Sequence, residues 1–337
     1  MKDTYILAIE SSCDETAVAI IKNAKEIVAN VVATQIDVHK DFGGVIPEVA
    51  SRIHVENISM VIEEALKKAN MDVADMDAIA VTQGPGLVGS LHVGVQAAKT
   101  LAWAYDKPLV PVHHIAGHIY ANQLITELAF PLLALVVSGG HTELVYMKDE
   151  WSFEILGTTQ DDAIGEAGDK VGRVLGLPYP GGVYVDKIAK DGKAIYTLAK
   201  PKTENELDFS FSGLKSSVLQ FIDRCKRKNE TFLPEDLAAS YQETAFEALL
   251  ERARKALELY HPKQMLLAGG VAANSCLRKK ISEDMAKAYP EVIFIIPPLS
   301  CCTDNAAMIG VAGTIAYQHG ERGDFALTAD PGMELER

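Results

Sequence analysis

Three histidines in one short stretch offer ligands for a metal ion. His113, His114 and His118 follow an apolar run, residues 109–112, that is typical of a short buried strand, and residues 115–128 have helical spacing. The histidines therefore lie where a strand passes into a helix. Residues four apart project from one face of a helix, so His114 and His118 can share one metal ion through their imidazole nitrogens. Two ligands do not hold a metal firmly, and we expect a third from elsewhere in the chain.

Several interpretations of this histidine pair are open: buried or surface histidines at a helix start, a metalloprotease, or a metal-assisted transferase. A zinc protease of the H-E-x-x-H type needs a glutamate directly after the first histidine as general base, and that residue is Ile115 here. The protease interpretation therefore lacks a general base, whereas the interpretation as a metal site is unaffected. Asp304 is a hard anionic ligand that could complete it, and could equally lie in the first turn of a helix capped by Thr303.

Composition and charge limit the partners. The 337 residues are 48% hydrophobic, which is enough for two domains with cores of their own. The formal net charge of -14 means that the surface as a whole repels a phosphate backbone, so any contact with nucleic acid must be local or assisted by a partner. The one dense basic run, residues 224–228, is typical of a solvated helix end that complements the helix dipole.

Cysteine usage and hydropathy indicate the compartment. The five cysteines have no C-x-x-C spacing, which suits a reducing compartment and gives no thiolate zinc site. The chain has no signal-peptide pattern and no apolar segment near the ~20 residues that span a bilayer. We expect a cytoplasmic protein without a membrane partner.

The pattern of strands and turns repeats along the chain. Residues 5–10 and 16–21 predict a hairpin around a polar turn, and residues 132–137 and 142–147 predict a second hairpin around Ser138 to His141. Each hairpin is followed by a strand, a glycine turn and a helix: residues 78–82, 84–86 and 90–104 in the first half, and 264–268, 269–270 and 274–287 in the second. Such glycine turns let backbone N–H groups approach an anion. The repeat predicts a duplicated α/β unit with a cleft between the copies.

Eight motifs spread over the chain together resemble the bacterial TsaD family, formerly labelled a glycoprotease. The motifs are ESSCDET (10–16), GGVIPE (43–48), GPGLVG (84–89), HHIAGH (113–118), VSGGHT (137–142), DFSFSGLK (208–215), AGGVAAN (268–274) and CTDNAAM (302–308). The resemblance implies an actin-like, sugar-kinase-like fold with the ligand in the interdomain cleft. We expect one domain over residues 1–128 plus 306–337 and the other over residues 129–305.

The resemblance also implies an activity. Proteins of this family transfer the threonylcarbamoyl group from threonylcarbamoyl-AMP to N6 of the adenosine beside the anticodon, in tRNAs that read codons beginning with A. The products are N6-threonylcarbamoyladenosine and AMP. The resemblance implies three partners for this chain: tRNA, a TsaB-like paralogue and a TsaE-like ATPase. The alternatives are an ATP-dependent phosphotransferase of the same fold and a non-catalytic scaffold subunit.

The family's site residues carry over position by position. His114, His118 and Asp304 resemble its ligands for one divalent ion, iron or zinc, and Asp14 and Glu15 match acids expected to act in catalysis. The residues expected to contact the adenylate are Val136, Val137, Ser138, Gly139, Gly140, Asp169, Gly182, Asp186 and Asn274. One position departs from the family, because Gly168 replaces a common aromatic residue and would weaken a helix by about 1 kcal/mol relative to Ala.

Overall fold

The computed structural model describes residues 2–200 and 202–335. These form two compact units, one of residues 2–128 and 303–335, the other of residues 129–200 and 202–302. The two units divide the chain after residues 128 and 302, and the predicted domain boundary after residue 305 stays a prediction; residues 1, 201, 336 and 337 lie outside the described residues.

The described residues contain ten strands and eleven α-helices. The strands are β1 Tyr5–Glu10, β2 Glu15–Lys22, β3 Glu26–Thr34, β4 Ala78–Gly84, β5 Leu109–His113, β6 Leu132–Val137, β7 Thr142–Met147, β8 Glu154–Thr158, β9 Gln264–Ala268 and β10 Ile293–Ile295. The helices are α1 Ile36–Lys40, α2 Pro47–Ala69, α3 Val88–Ala104, α4 His114–Tyr120, α5 Ile164–Val174, α6 Gly181–Ala189, α7 Ser212–Lys228, α8 Pro234–Tyr260, α9 Ser275–Lys280, α10 Ala286–Ala288 and α11 Ala306–Gln318. None of these helices is long and apolar enough to cross a membrane.

The two units have the same sheet topology. The first sheet has the order β3-β2-β1-β4-β5, in which β1, β2 and β3 are antiparallel while β4 and β5 run parallel to β1. The second sheet has the corresponding order β8-β7-β6-β9-β10 with the same directions. The predicted duplication is therefore confirmed, including both hairpins.

In the first unit, helices cover both faces of the sheet. Leu7 and Ile9 of β1 belong to a buried cluster with side chains of α2 and α3. The opposite face of β1 packs against α11, where glycine permits close approach: a Cβ added at Gly310 would lie 2.3 Å from Ile21 and one at Gly313 would lie 2.5 Å from Ala80. Burial on both faces explains why these strands are continuous apolar runs.

In the second unit, β6 supplies the centre of the core. Alternate residues Leu133, Leu135 and Val137 pack with buried side chains of α5, α7 and α8. The spacing of apolar residues on α8 at three and four positions, as in Leu249, Leu250 and Ala253, presents one face to this core. The core holds in place the turns that follow β6 and β9.

Some predicted boundaries were wrong for local reasons. The helix expected over residues 115–128 ends at Tyr120 and continues only as a 3₁₀ segment, Ala121–Leu124. The helix expected from Asn274 is divided by a π-helical segment, Ile281–Met285. The N-cap of α11 is Asn305, whose side chain accepts a hydrogen bond from the backbone N–H of Met308, rather than Thr303.

Candidate metal centre and glycine turn

The three histidines lie at the junction of β5 and α4, where only His113 has both ring nitrogens in structural hydrogen bonds. His113 is the N-cap of α4: its Nδ1 accepts a hydrogen bond from the N–H of Ile115 (3.1 Å), so Nε2 carries the proton and donates to the carbonyl of Met333 (3.0 Å). Both nitrogens of His113 are therefore engaged. His114 and His118 follow on one face of α4, four residues apart.

His114, His118 and Asp304 come together in the first unit. Nε2 of His118 lies 3.1 Å and Nε2 of His114 lies 3.7 Å from Oδ1 of Asp304. All three candidate ligand atoms lie within 4.8 Å of one another. Asp304 reaches this point because it lies two residues before α11, which packs against α4.

This group fits a metal ion. His118 is 1% exposed, yet neither of its ring nitrogens forms a hydrogen bond among the described residues, and Nε2 has only the 3.1 Å approach to Asp304. A buried imidazole that forms no hydrogen bond costs free energy, and a cation between Nε2 and the carboxylate would satisfy both groups. Two imidazoles and one carboxylate suit zinc or iron(II) and leave coordination positions open for a substrate.

Glu10 supports His114 from the side away from Asp304. Its carboxylate is 1% exposed and accepts hydrogen bonds from the backbone N–H of Ser12 (2.5 Å) and the hydroxyl of Thr82 (2.7 Å). Its Oε2 lies 3.1 Å from Nδ1 of His114. A proton on Nδ1 donated to Glu10 leaves Nε2, the atom that faces Asp304, free to bind a metal.

The surroundings of Glu10 and His114 favour the charged form of each, a carboxylate beside an imidazolium. Burial alone would lower the pKa of His114, but the charges of Glu10 and Asp304 outweigh it and raise this pKa to about 9. Burial likewise opposes ionisation of Glu10, and the neighbouring His114 with its hydrogen bonds brings the pKa of Glu10 below its usual value. The metal-free protein therefore keeps His114 protonated at neutral pH, and metal binding must displace that proton.

The predicted catalytic acids lie where the turn after β1 passes into β2 of the same unit: Asp14 ends the turn and Glu15 begins the strand. Asp14 is buried, and Glu15 accepts a hydrogen bond from the hydroxyl of Thr34 (3.2 Å). Burial, and after it the charges of Asp14 and Asp304, raise the pKa of Glu15 far above its usual range. Glu15 is therefore protonated at neutral pH in the metal-free protein.

His54 anchors this turn to α2. Its Nε2 lies 2.9 Å from the carbonyl of Cys13 and its Nδ1 lies 2.7 Å from the hydroxyl of Thr16. A carbonyl only accepts, so Nε2 carries the proton and Nδ1 accepts from Thr16. Burial lowers the pKa of His54, which keeps the ring neutral in this role.

The second unit places the glycine turn at one end of its parallel strands. Strand β6 ends at Val137 and its parallel neighbour β9 ends at Ala268, so the turns that follow them meet at one sheet edge. Gly269 has φ +89° and an added Cβ would lie 2.5 Å from the carbonyl oxygen of Val137, so this position needs glycine.

Gly139 and Gly140 differ from Gly269, because packing does not require them. Both are exposed, and a Cβ added at either would meet no atom within 4 Å among the described residues. The turn is closed by Ser138, whose N–H donates to the carbonyl of His141 (2.9 Å). The side chains of Val136 and Val137 are fully buried, so only their backbone could contact a ligand.

The remaining predicted adenylate residues, Asp169, Gly182, Asp186 and Asn274, lie on or beside helices α5, α6 and α9 of this unit. Asp169 of α5 accepts a hydrogen bond from the N–H of Gly182 (2.8 Å) at the start of α6. One turn later on α6, Asp186 accepts from the hydroxyl of Ser275 (2.9 Å). Asn274 precedes Ser275 and caps α9, because its side-chain oxygen accepts hydrogen bonds from the N–H groups of Cys276 and Leu277. Gly168 lies within α5 and does not interrupt it.

Sequence inspection missed Glu10 and His54. Their partners are distant in sequence, since His114 lies 104 residues from Glu10 and Cys13 lies 41 residues from His54. A signal was present for Glu10, because it directly follows an apolar run, and an acid that is buried with such a strand needs a partner.

Comparison with known proteins gives consistent matches over the whole chain. Residues 26–311 match the model of the TsaD family, described as tRNA N6-adenosine threonylcarbamoyltransferase. A protein of that name from Bacillus cereus is 59% identical over 336 residues, covering 99% of this chain and 98% of the relative. Another from Anoxybacillus flavithermus is 58% identical over 335 residues, with the same coverage. These relatives carry the name of a transferase, and not of a protease or a kinase.

Solved structures of low sequence identity share the fold. HypF from T. kodakarensis matches with a TM-score of 0.67 at 15% identity, over 94% of this chain and 48% of that one. The activator of 2-hydroxyisocaproyl-CoA dehydratase from Clostridium difficile matches with a TM-score of 0.54 at 14% identity, over 96% of this chain and 99% of the activator. With the duplicated sheet topology, these matches confirm the predicted actin-like α/β fold.

Proposed function

The chain belongs to the TsaD family of tRNA N6-adenosine threonylcarbamoyltransferases, and we propose that it catalyses that reaction. The threonylcarbamoyl group passes from threonylcarbamoyl-AMP to N6 of the anticodon-adjacent adenosine, in tRNAs that read codons beginning with A. The observation that carries the proposal is the 59% identity over 99% of the chain. The grouping of His114, His118 and Asp304 supports it.

The reaction makes one bond and breaks one. A C–N bond forms between the carbamoyl carbon and N6 of adenosine, and the bond from that carbon to the phosphate oxygen breaks, so AMP leaves with the electron pair. N6 must lose one proton. The protein must therefore stabilise charge on the carbonyl and phosphate oxygens and accept a proton.

We assign the ligation of one divalent ion, iron or zinc, to His114, His118 and Asp304. When bound, the ion supplies a fixed positive charge that can orient and polarise the threonylcarbamoyl group. Glu10 fixes the ring of His114 so that Nε2 is the ligand atom. Ser12 also approaches Nδ1 of His114, at 3.2 Å, and restricts the rotation of the ring.

The adenylate is assigned to the second unit. The backbone of Val136 to Gly140 would bind the AMP portion, because Gly139 and Gly140 leave open space where a Cβ would stand. Carboxylates suit ribose hydroxyls, which gives roles to Asp169 and Asp186, each already oriented by hydrogen bonds. Gly182 and Asn274 keep these acids and the second glycine turn in position.

Asp14 and Glu15 are our candidates for accepting the N6 proton. A protonated Glu15 cannot act as a base, so this role requires its carboxylate form, which a nearby cation favours. Asp14 shares the turn that His54 anchors. If a Glu15→Gln variant binds the adenylate and still transfers at the wild-type rate, Glu15 has no such role.

The protein is proposed to act in the cytoplasm with a TsaB-like paralogue and a TsaE-like ATPase. Its net charge of -14 favours help from partners in holding tRNA. The same charge predicts weak tRNA affinity for the chain alone at physiological salt.

Reconstitution tests the proposal. The purified chain is incubated with threonylcarbamoyl-AMP, a suitable tRNA and both partner proteins, and AMP and the modified nucleoside are measured by mass spectrometry. We expect wild type to release AMP and form the modified nucleoside in equal amounts, and His92→Ala, a control at an exposed histidine, to do the same. His118→Ala should form neither product. AMP release without the modified nucleoside would contradict the proposal.

A further inference from the structure

A basic groove in the second unit has no role in the site described above. The groove has a volume of ≈ 510 Å³ and its lining includes Arg224, Arg227 and Lys228, with Phe221 and Gln220 beside them. All five side chains come from α7, between its midpoint and its C-terminus. Among the described residues that line the groove, none is acidic.

The positive charge of the groove is largely uncompensated. Within the described part of the chain, neither Arg224 nor Arg227 forms an ion pair, while Lys228 lies 3.9 Å from Glu230 with both side chains more than half exposed. Asp223 contributes its backbone carbonyl, which accepts from Nε of Arg227 (3.3 Å). In a chain of net charge -14, three cations around one groove form a local site for an anion.

Helix stabilisation does not account for the whole cluster. Cations in the last turn of a helix interact favourably with the dipole, an effect that falls off within that turn. Lys226, Arg227 and Lys228 occupy the last turn of α7, but Arg224 lies before it. The guanidinium of Arg224 lies 5.1 Å from the ring centre of Phe221, a contact that holds it at the groove.

The position of the groove favours a long anion. Helix α7 begins at Ser212, whose N–H donates to Asp161 just before α5 (3.2 Å), and the groove's cations, Arg224 to Lys228, lie farther along the same helix, toward its C-terminus. At 1.5 Å per residue these cations lie about 18–24 Å from the start of the helix. The turn assigned to the adenylate adjoins the start of α5, because the N–H of Gly165 donates to the carbonyl of Ser138 (3.1 Å). A small adenylate bound there does not extend to the cations at the far end of α7, whereas a polynucleotide can.

We propose that this groove binds phosphate groups of the tRNA backbone. Guanidinium groups bind phosphate oxygens with two hydrogen bonds each, and Gln220 adds a neutral donor. Contacts of this kind fix the position of the RNA without reading its sequence. The inference rests on the proposed function, since it assigns to the groove the macromolecular substrate of that reaction.

A pair of matched variants tests the inference. Arg227→Ala/Lys228→Ala removes two exposed cations from the last turn of α7, which ends in left-handed Asn229. Lys67→Ala/Lys68→Ala removes two exposed cations from the last turn of α2, which ends in left-handed Asn70. Both variants have the same net charge, and each loses two cations that interact favourably with a helix dipole. We therefore expect the two variants to have equal melting temperatures.

Binding is measured by fluorescence anisotropy of labelled tRNA titrated with the full chain, from low to physiological salt. We expect the groove variant to bind roughly tenfold more weakly at low salt, with a salt dependence lower by about one unit for each cation removed. The α2 control should bind like wild type. Equal binding by the two variants, or wild-type binding that does not depend on salt, would overturn the inference.

The reconstituted reaction separates this inference from the proposed function. If both hold, the groove variant raises KM for tRNA several-fold without changing kcat or KM for threonylcarbamoyl-AMP. If wild type makes no modified nucleoside, the proposed function fails, and the anisotropy result still decides whether the groove binds RNA. If wild type is active and both variants match it in KM and in anisotropy, only the groove is wrong.

Discussion

Replacing Glu10 by Gln should change how metal binding depends on pH. The carboxylate is buried and negatively charged, and it lies 3.1 Å from Nδ1 of His114. The substitution keeps the shape but removes the charge. An amide also cannot accept from Ser12 and from His114 together, because one of its two polar ends is a donor.

Two effects of opposite sign follow. Loss of the carboxylate behind a ligating histidine weakens metal binding by about ten- to a hundredfold. In wild type, however, the His114 pKa of about 9 means that metal competes with a proton. This competition costs about tenfold in apparent affinity for each pH unit below that pKa, or about a hundredfold at pH 7. Without Glu10, burial lowers the pKa of His114, and the competition weakens.

We therefore expect wild-type affinity to rise steeply from pH 7 to pH 9, and Glu10→Gln affinity to rise less. The variant should be about ten- to a hundredfold weaker at pH 9.5 and much closer to wild type at pH 7. Titration with chelator-buffered zinc at several pH values measures this directly, with Glu56→Gln at an exposed position as the control. The same slope and affinity in Glu10→Gln and wild type would refute the role of Glu10.

Three further predictions concern the second unit. Burial raises the pKa of Glu143 from 4.5 to about 7, so the fold loses stability as pH rises between these values and the loss stays constant above pH 7. Glu143→Gln should therefore raise the free energy of unfolding by up to about 3 kcal/mol at pH 8, and the gain should shrink toward pH 5 in urea titrations. Gly168→Ala should stabilise the fold by about 0.5–1 kcal/mol, because the added Cβ lies no closer than 3.4 Å to its neighbours. Gly172→Ala on the same helix should destabilise the fold, because its Cβ would lie 2.5 Å from Gly181, and equal effects of the two variants on thermal unfolding would contradict this. Asn274→Ala should cost about 1 kcal/mol through loss of the α9 cap, and Asn274→Asp should retain that stability; no difference between them in chemical denaturation would exclude the cap.

The sequence predicted best the parts of the fold that are buried on both faces. The hairpin strands β1, β2, β6 and β7 are apolar runs interrupted by polar turns, and their positions were correct. Strand β3 was missed because most of its residues are partly or fully exposed and its pattern is mixed. Helix α4 is shorter than its apolar spacing suggests, because residues beyond Tyr120 adopt a 3₁₀ conformation.

Local spacing predicted half of the candidate metal site. His114 and His118 share a helix face, so their proximity follows from helix geometry alone. The position of Asp304 depends on the packing of α11 against α4, which no local pattern encodes. Its residue type made it a candidate ligand, and the family resemblance favoured that role over a place in the first turn of a helix. Glu10 required the three-dimensional structure, because its contact with His114 joins the ends of two strands on either side of β4.

The central claim is that this chain completes N6-threonylcarbamoyladenosine in tRNA through a site that includes His118. The most direct measurement is mass spectrometry of nucleosides from the tRNA of cells depleted of the protein. Cells rescued with wild type, with His118→Ala or with His92→Ala are compared. The account predicts that the nucleoside disappears on depletion and returns with wild type and His92→Ala only. An unchanged level in depleted cells that have no second copy, or full rescue by His118→Ala, would contradict it.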